Sequence, residues 1–208
     1  MNVETHTSNI NDAIQAFYSP APLCDQVEQY RKPYGLVLKE FDPEKDKFLF
    51  LDIDGVLHPF GTMEAFFENE KFVIRRNETS YVGRDNEPFC FWPNLEKLVK
   101  YFDLKIILHS AWRLAYSLTE LQEHLPPTLM EKIVGITNPN QVYRYPSIAE
   151  FIQGSGIKKF AIIDDDLKDF PDKVVKSDYF VGTSSRLGLT HVQLAKLATV
   201  YLPPLTKT

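Results

Sequence analysis

Phe48-Leu49-Phe50-Leu51-Asp52-Ile53-Asp54-Gly55-Val56-Leu57 is the stretch that sets the fold class of this 208-residue chain. Four consecutive apolar residues read as a buried β-strand, and two aspartates stand at its end, one residue apart, before a glycine. Strands of parallel sheets carry such continuous apolar runs, and open α/β sheets place their ligands at the carboxyl ends of those strands. Side chains two apart in an extended chain point the same way, so Asp52 and Asp54 share one site if the extended geometry persists. Two carboxylates that close repel unless a cation, a proton or a donor-rich anion site compensates. An EF-hand loop fails on spacing, because it needs a third acidic residue before its glycine, which here directly follows the second aspartate. The plainer alternative is a strand that runs into an Asp-Gly turn with both carboxylates solvated.

Strand-like and helix-like segments alternate from Phe48 onward. Leu95, Leu98, Val99 and Phe102 give a helical face, and Lys105-Ile106-Ile107-Leu108 reads as a short apolar strand. Leu114, Leu118, Leu121 and Leu125 mark one helix, ended by Pro126-Pro127. Ile133-Val134-Gly135-Ile136 is the next strand, and Ile148, Phe151 and Ile152 define a helix with Gly154 as its C-terminal stop. Phe160-Ala161-Ile162-Ile163 is a fourth strand that ends in Asp164-Asp165-Asp166. A last helix starts near Thr190, where Thr190 and Gln193 fit a capping box, with Val192, Ala195 and Tyr201 on or near its inner side. This alternation predicts a doubly wound α/β domain over residues 46–208 with a mostly parallel sheet. Residues 1–45 read as an N-terminal extension: Ile10, Ala13, Ile14 and Phe17 have helical spacing, and Ser19-Pro20-Ala21-Pro22 stops that helix.

Composition narrows the class further. Apolar content of 44% and charged content of 25% are those of an ordinary soluble globular protein. A net charge of −5 argues against a broadly basic, nucleic-acid-coating surface while leaving room for a local phosphate site. Cys24 and Cys90 have neither metal-like nor redox-like spacing and read as reduced thiols. No apolar run is long enough to span a bilayer, and the N-terminus lacks the pattern of a secretory signal, so no membrane partner and a cytoplasmic location are expected. Nothing in the sequence assigns an oligomeric state.

Parallel strands bring their carboxyl ends to one edge. Three of the predicted strands end there in polar groups: Asp52 and Asp54, then Ser110, then Asp164 and Asp165. A second acidic pair on that edge raises the demand for a divalent cation. Hard oxygen ligands without a histidine or cysteine cluster suit Mg²⁺ better than zinc.

These motifs carry a family resemblance. The chain resembles haloacid-dehalogenase-type (HAD) phosphatases, whose first motif is an apolar strand followed by D-x-D-G-[TV], present at Asp52, Asp54, Gly55 and Val56. The second motif, an apolar strand ending in Ser or Thr, falls on Ile106–Ser110, and the fourth, ending in an acidic pair, on Ile162–Asp165. Asp-Gly-Val-Leu-His-Pro at 54–59, Ser110-Ala111-Trp112-Arg113 and Gly188-Leu189-Thr190 resemble the branch of HAD domains associated with RNA-repair proteins.

The third motif, normally a phosphate-binding lysine, departs from the pattern. Lys158 and Lys159 begin the strand that ends at Asp164, so Lys159 would lie roughly 16 Å from the acidic end. Arg144 is better placed. It precedes a helix running antiparallel to that strand, and a guanidinium binds phosphate as a planar fork. Its alternative is a surface arginine in a loop.

The resemblance implies a Rossmannoid core and a set of roles. Asp52 would be the nucleophile that forms an aspartyl-phosphate, Asp54 the acid and then the base, and Ser110 and Arg144 the phosphate ligands. Asp165, Asp164, Asp52 and the Asp54 backbone carbonyl would hold Mg²⁺. Asp166 and Asp169 read as solvated neighbours. Arg113 reads either as a substrate contact or as a surface residue. Ser110 could also cap the helix beginning near Trp112, and Trp112 itself reads as core rather than as a stacking platform. His58 reads as structural, with a secondary-acid role as its alternative, and His109 is uncommitted.

Between the first and second motifs a small flap is expected, built from Lys71–Arg76 and Ser80-Tyr81-Val82, with no large lid domain. Arg75, Arg76 and Arg84 could guide an anion inward or simply be solvated. An open site suits a phosphorylated substrate such as an RNA end, a nucleotide or a phosphoprotein. A catalytically degenerate binding or regulatory module on the same fold is the alternative function.

Overall fold

The computed structural model describes residues 25–68, 71–76 and 87–202. The predicted N-terminal helix, Cys24, Ser80–Val82 and Arg84 lie outside the described residues, as do the side chains of Arg75 and Arg76. A 3₁₀ turn (Asp25–Tyr30) leads into β1 (Arg31–Lys32), β2 (Gly35–Val37) and β3 (Lys47–Leu51). A hairpin follows, β4 (Met63–Glu68) and β5 (Lys71–Arg76). Next come α1 (Trp92–Phe102), β6 (Leu104–Leu108), the short helices α2 (Trp112–Ala115), α3 (Leu118–His124) and α4 (Pro127–Met130), and β7 (Ile133–Thr137). Helix α5 (Arg144–Ser155), β8 (Phe160–Asp164), a second 3₁₀ turn (Leu167–Asp169), α6 (Asp172–Val175), β9 (Phe180–Gly182) and α7 (His191–Tyr201) complete the described residues.

Among the described residues, seven strands form one sheet in the order β1-β2-β7-β6-β3-β8-β9. β3, β6, β7, β8 and β9 run parallel, whereas β1 and β2 are antiparallel additions on the β7 edge. The expected mostly parallel, doubly wound sheet is therefore present. β3 lies at its centre, and Phe48, Leu49, Phe50 and Leu51 are fully buried. The two-residue alternation splits them between two cores. Leu49 and Leu51 join Leu95, Leu108, Ile163 and Leu197 on one face, while Phe48 and Phe50 join Ile107, Ile148, Phe151 and Ile162 on the other. Burying each such side chain contributes about 1.5–3 kcal/mol. On the far side, the Tyr201 hydroxyl donates to the Phe48 carbonyl at 2.6 Å and pins the last helix to the first parallel strand.

Several local expectations are corrected. The sheet begins at Arg31, within the segment read as an extension: β2 pairs with β7 through Gly35↔Thr137, Leu36↔Ile136 and Val37↔Gly135. The helix expected through Leu114–Leu125 is broken, because Tyr116 is extended and Ser117 and Glu120 form a capping box that restarts the chain as α3. Helix α5 runs past Gly154 and ends at Gly156, which takes the left-handed conformation (φ 78°). Gly154 instead admits Tyr34, whose ring a Cβ there would meet at 2.1 Å. In α7 the Thr190–Gln193 capping box is present, and Leu197 and Tyr201 face inward, but Val192 and Ala195 are exposed. The partner of Lys71–Arg76 in the flap is Met63–Glu68. Among the described residues, no helix is long and apolar enough to cross a membrane.

Candidate active site

The carboxyl ends of β3, β6 and β8 meet at the middle of the sheet. Asp52 follows β3, fully buried, with its amide donating to the Ile163 carbonyl at 3.2 Å. Asp164 ends β8 and is also fully buried, and Asp165 follows it. Ligand oxygens of Asp52, Asp164 and Asp165 all lie within 4.8 Å of one another. Gly55 makes that approach possible. It takes φ 71°, and a Cβ on it would sit 2.2 Å from Asp165 Oδ2. The loop after β9 closes over the same backbone, with the Thr183 hydroxyl donating to the Gly55 carbonyl at 2.8 Å and Ser185 hydrogen-bonded to the Asp165 carboxylate.

Arg144, the first residue of α5, reaches into this cluster. Its Nη1 donates to Asp52 Oδ2 at 2.7 Å and to Asp164 Oδ1 at 2.5 Å, with Asp165 Oδ1 at 3.8 Å. Burial disfavours its charge, yet the carboxylates of Asp52, Asp164, Asp165 and Asp169 together hold its pKa above the ordinary arginine value. Asp169, read as a solvated neighbour, lies 3.7 Å from Arg144 Nε. Burial and the neighbouring Asp52 charge push Asp164 well above the usual carboxylate range, against Arg144 and the Asp166 amide, which donates to Asp164 at 2.8 Å. Asp165 is raised by the same two causes. Lys158 and Lys159 stand at the opposite end of β8, where Lys158 pairs with Glu44 across 3.9 Å.

The donor set fits a hard divalent cation. Asp52 Oδ1 and Asp164 Oδ2 are buried without a hydrogen-bond partner, the condition that an additional cation would relieve. Asp52, Asp164 and Asp165 are the side chains that could hold it; the Asp54 carboxylate is not among them.

Asp54 parts from Asp52 because the chain leaves extended geometry directly after the strand: the amides of Val56 and Leu57 both turn back to the Ile53 carbonyl. Its Oδ2 accepts from Trp112 Nε1 at 2.7 Å and its Oδ1 from His58 Nε2 at 2.9 Å. Trp112 packs in the core as expected, but its indole N–H bond to Asp54 is an addition that apolar spacing does not reveal. Ser110 is fully buried. Its Oγ lies 3.4 Å from the Trp112 amide, and the cap position falls one residue later, on Ala111.

Arg113 is turned inward, not placed on the surface. Only 4% exposed, it donates through Nη1 to the carbonyls of His109 (2.7 Å) and Ser110 (3.0 Å), and through Nη2 to Gln141 (2.6 Å). It thereby ties the end of β6 to the loop that delivers Arg144. Burial and the nearby Arg144 charge lower its pKa to about 10, against the pull of Asp52, Asp164 and Asp169, so it stays charged at neutral pH. His109 is fully buried, with Nε2 3.3 Å from the Ile163 carbonyl and Nδ1 3.6 Å from Asp164 Oδ2. Burial, reinforced by Arg144 and Arg113 and opposed by Asp52, lowers its pKa to about 3 and keeps the imidazole neutral.

A mostly parallel sheet with two acidic strand ends and a buried serine just past the strand between β3 and β7 fits the haloacid-dehalogenase-like α/β class, with an arginine where the third motif normally has a lysine. No large cap is present among the described residues. The chain belongs to the family described as the HAD domain in Swiss Army Knife RNA repair proteins, which matches residues 48–194, more than half of its length. Comparison with curated proteins gives no match.

Proposed function

We propose that this protein is a Mg²⁺-dependent phosphomonoester hydrolase that works through an aspartyl-phosphate on Asp52. The observation that carries the reading is the gathering of Asp52, Asp164 and Asp165 within 4.8 Å, beside the Arg144 guanidinium at 2.7 Å from Asp52. An Asp52 oxygen attacks phosphorus, the P–O bond to the leaving group breaks, and the departing oxygen takes a proton from Asp54. Asp54 then takes a proton from water, whose oxygen attacks phosphorus as the P–O bond to Asp52 breaks, releasing inorganic phosphate. Arg144 and Ser110 hold the phosphoryl oxygens, the arginine exchanging part of its carboxylate contact for phosphate. Asp52, Asp164 and Asp165 would hold the Mg²⁺, which when bound would supply positive charge to offset repulsion between nucleophile and phosphate.

For the substrate we favour terminal phosphates on RNA or nucleotides. The family description and the small flap in place of a lid support this, and reduced-thiol cysteine usage fits a cytoplasmic setting. A second reading is a phosphate-binding module without turnover, favoured by one observation: Arg144 already bridges two of the carboxylates expected to hold the cation. Phosphate release from RNA oligonucleotides bearing 3′- or 5′-phosphate, with and without Mg²⁺, separates the two. The hydrolase reading expects Mg²⁺-dependent release that Asp52→Asn abolishes. Binding without release overturns it.

A further inference from the structure

We infer that His58 and Trp112 are positioning residues that fix the Asp54 carboxylate for proton transfer, an inference that rests on the hydrolase reading above. Asp54 sits in a turn outside the named strands, ahead of a glycine at φ 71°. Two side-chain donors hold its carboxylate. Trp112, 58 residues away in the chain, gives its indole N–H to Oδ2, and His58, one turn on, gives its Nε2–H to Oδ1. Each carboxylate oxygen has two acceptor sites, so both donors can bind and still leave acceptor capacity for a proton in transit.

The histidine's role as donor is itself fixed by the fold. The Phe89 amide donates to His58 Nδ1 at 3.2 Å, so the ring proton resides on Nε2 and points at Asp54. Phe89 holds this pose in the left-handed region (φ 60°), where a non-glycine residue is uncommon, and its ring packs edge-on against both His58 and Trp112. His58 is fully buried and Trp112 nearly so, which means that neither donor can swing to solvent, whereas the Asp54 side chain is 23% exposed. A fixed frame thus presents one accessible carboxylate to the place where the leaving oxygen and the incoming water must pass. Misplacing a reacting group by about 1 Å is enough to cost about 10²-fold in rate.

The test compares two substrates, because only one needs the proton. An alkyl phosphate must expel an alkoxide, which departs poorly without protonation, whereas p-nitrophenolate is a good leaving group. Trp112→Phe keeps the ring and removes the N–H. It is expected to lower kcat/KM for the alkyl phosphate by about tenfold or more, a part of the roughly 10²–10⁴-fold that general acid catalysis contributes in full, and to lower that for p-nitrophenyl phosphate much less. His58→Gln, which keeps a donor, should retain the alkyl phosphate activity that His58→Met loses. An equal loss on both substrates, or no loss, overturns the inference. Wild type inactive on both substrates overturns the hydrolase reading itself. A second measurement needs no turnover. The chain has two tryptophans, and Trp92 Nε1 donates to Thr128 at 2.8 Å, far from Asp54 in sequence. In Asp54→Ala the ¹⁵N-indole signal of Trp112 should shift while that of Trp92 stays. An unmoved Trp112 signal sinks the proposed contact.

Discussion

Arg144 and Asp52 stand 92 residues apart in the chain and 2.7 Å apart in space. The same guanidinium nitrogen reaches Asp164, so one side chain at the start of α5 serves as counter-charge to two buried carboxylates that would otherwise repel each other. The balance of charge in the cluster therefore rests on the residue proposed above to hold the phosphoryl oxygens.

Replacing that cation exposes the repulsion. Arg144→Gln should destabilise the metal-free protein by about 3–5 kcal/mol, the usual consequence of removing one partner of a buried ion pair. Magnesium should restore more stability in the variant than it adds to wild type, because it meets carboxylates with no competitor. Urea unfolding with Mg²⁺ and with a chelator checks both statements. A variant as stable as wild type in chelator would show that Arg144 neutralises nothing.

His109 makes a pH prediction. Its folded pKa is lowered to about 3 from an ordinary 6.5, so below 6.5 the unfolded chain binds a proton that the folded protein refuses. Stability from this group is complete above pH 6.5 and falls as pH drops toward 3, by about 1.4 kcal/mol per pH unit at most. Asp164 and Asp165, with raised values, run the opposite way: their contribution is full below the unfolded carboxylate value and is lost as pH rises through the folded ones. The check is thus a difference. Between pH 6 and 4, the stability of His109→Gln should decline less than that of wild type in urea melts at matched pH.

Arg113 is expected to act through the loops it joins. Arg113→Lys keeps a charge but cannot fork to the His109, Ser110 and Gln141 carbonyls at once. Unfolding free energy should fall by about 2–4 kcal/mol, the range for breaking several hydrogen bonds to a buried charged group. Because Gln141 lies three residues before Arg144, kcat should fall as well. Melts and steady-state kinetics on the same preparation test the pairing of the two effects.

Gly55→Ala places a methyl group where Asp165 now lies. With the added Cβ 2.2 Å from the carboxylate oxygen, Asp165 must move, and Mg²⁺ affinity by isothermal titration should weaken by about tenfold or more. Affinity equal to wild type would remove Asp165 from the ligand set.

The parts of this structure that were readable from sequence share a physical cause. Phe48–Leu51 and Phe160–Ile163 are apolar on both sides because their strands are covered on both faces, so period and polarity announce them and locate Asp52 and Asp164 at one edge. Arg144 could be placed by the same logic, from strand length and the direction of the returning helix. What stayed hidden depends on side-chain direction or on strands too short for any period. Nothing in the spacing of Trp112 says that its N–H meets Asp54, and a buried Arg113 reads like any surface arginine. Arg31–Lys32, Gly35–Val37 and Phe180–Gly182 are two or three residues long. The break at Ser117 was the exception, since Ser117-Leu118-Thr119-Glu120 spells out its capping box within an otherwise continuous leucine pattern.

The seating of β2 against β7 bears on how the domain can be handled. Excising only residues 48–194 would strip Gly35–Val37 from the flank of Ile133–Thr137 and remove the Tyr201 hydroxyl from the Phe48 carbonyl. The bared main-chain donors and acceptors of β7 would then form an unguarded template on which a second molecule could add a strand. Such a fragment would be prone to self-association, whereas a piece that runs from the first 3₁₀ turn through α7 keeps its flank capped.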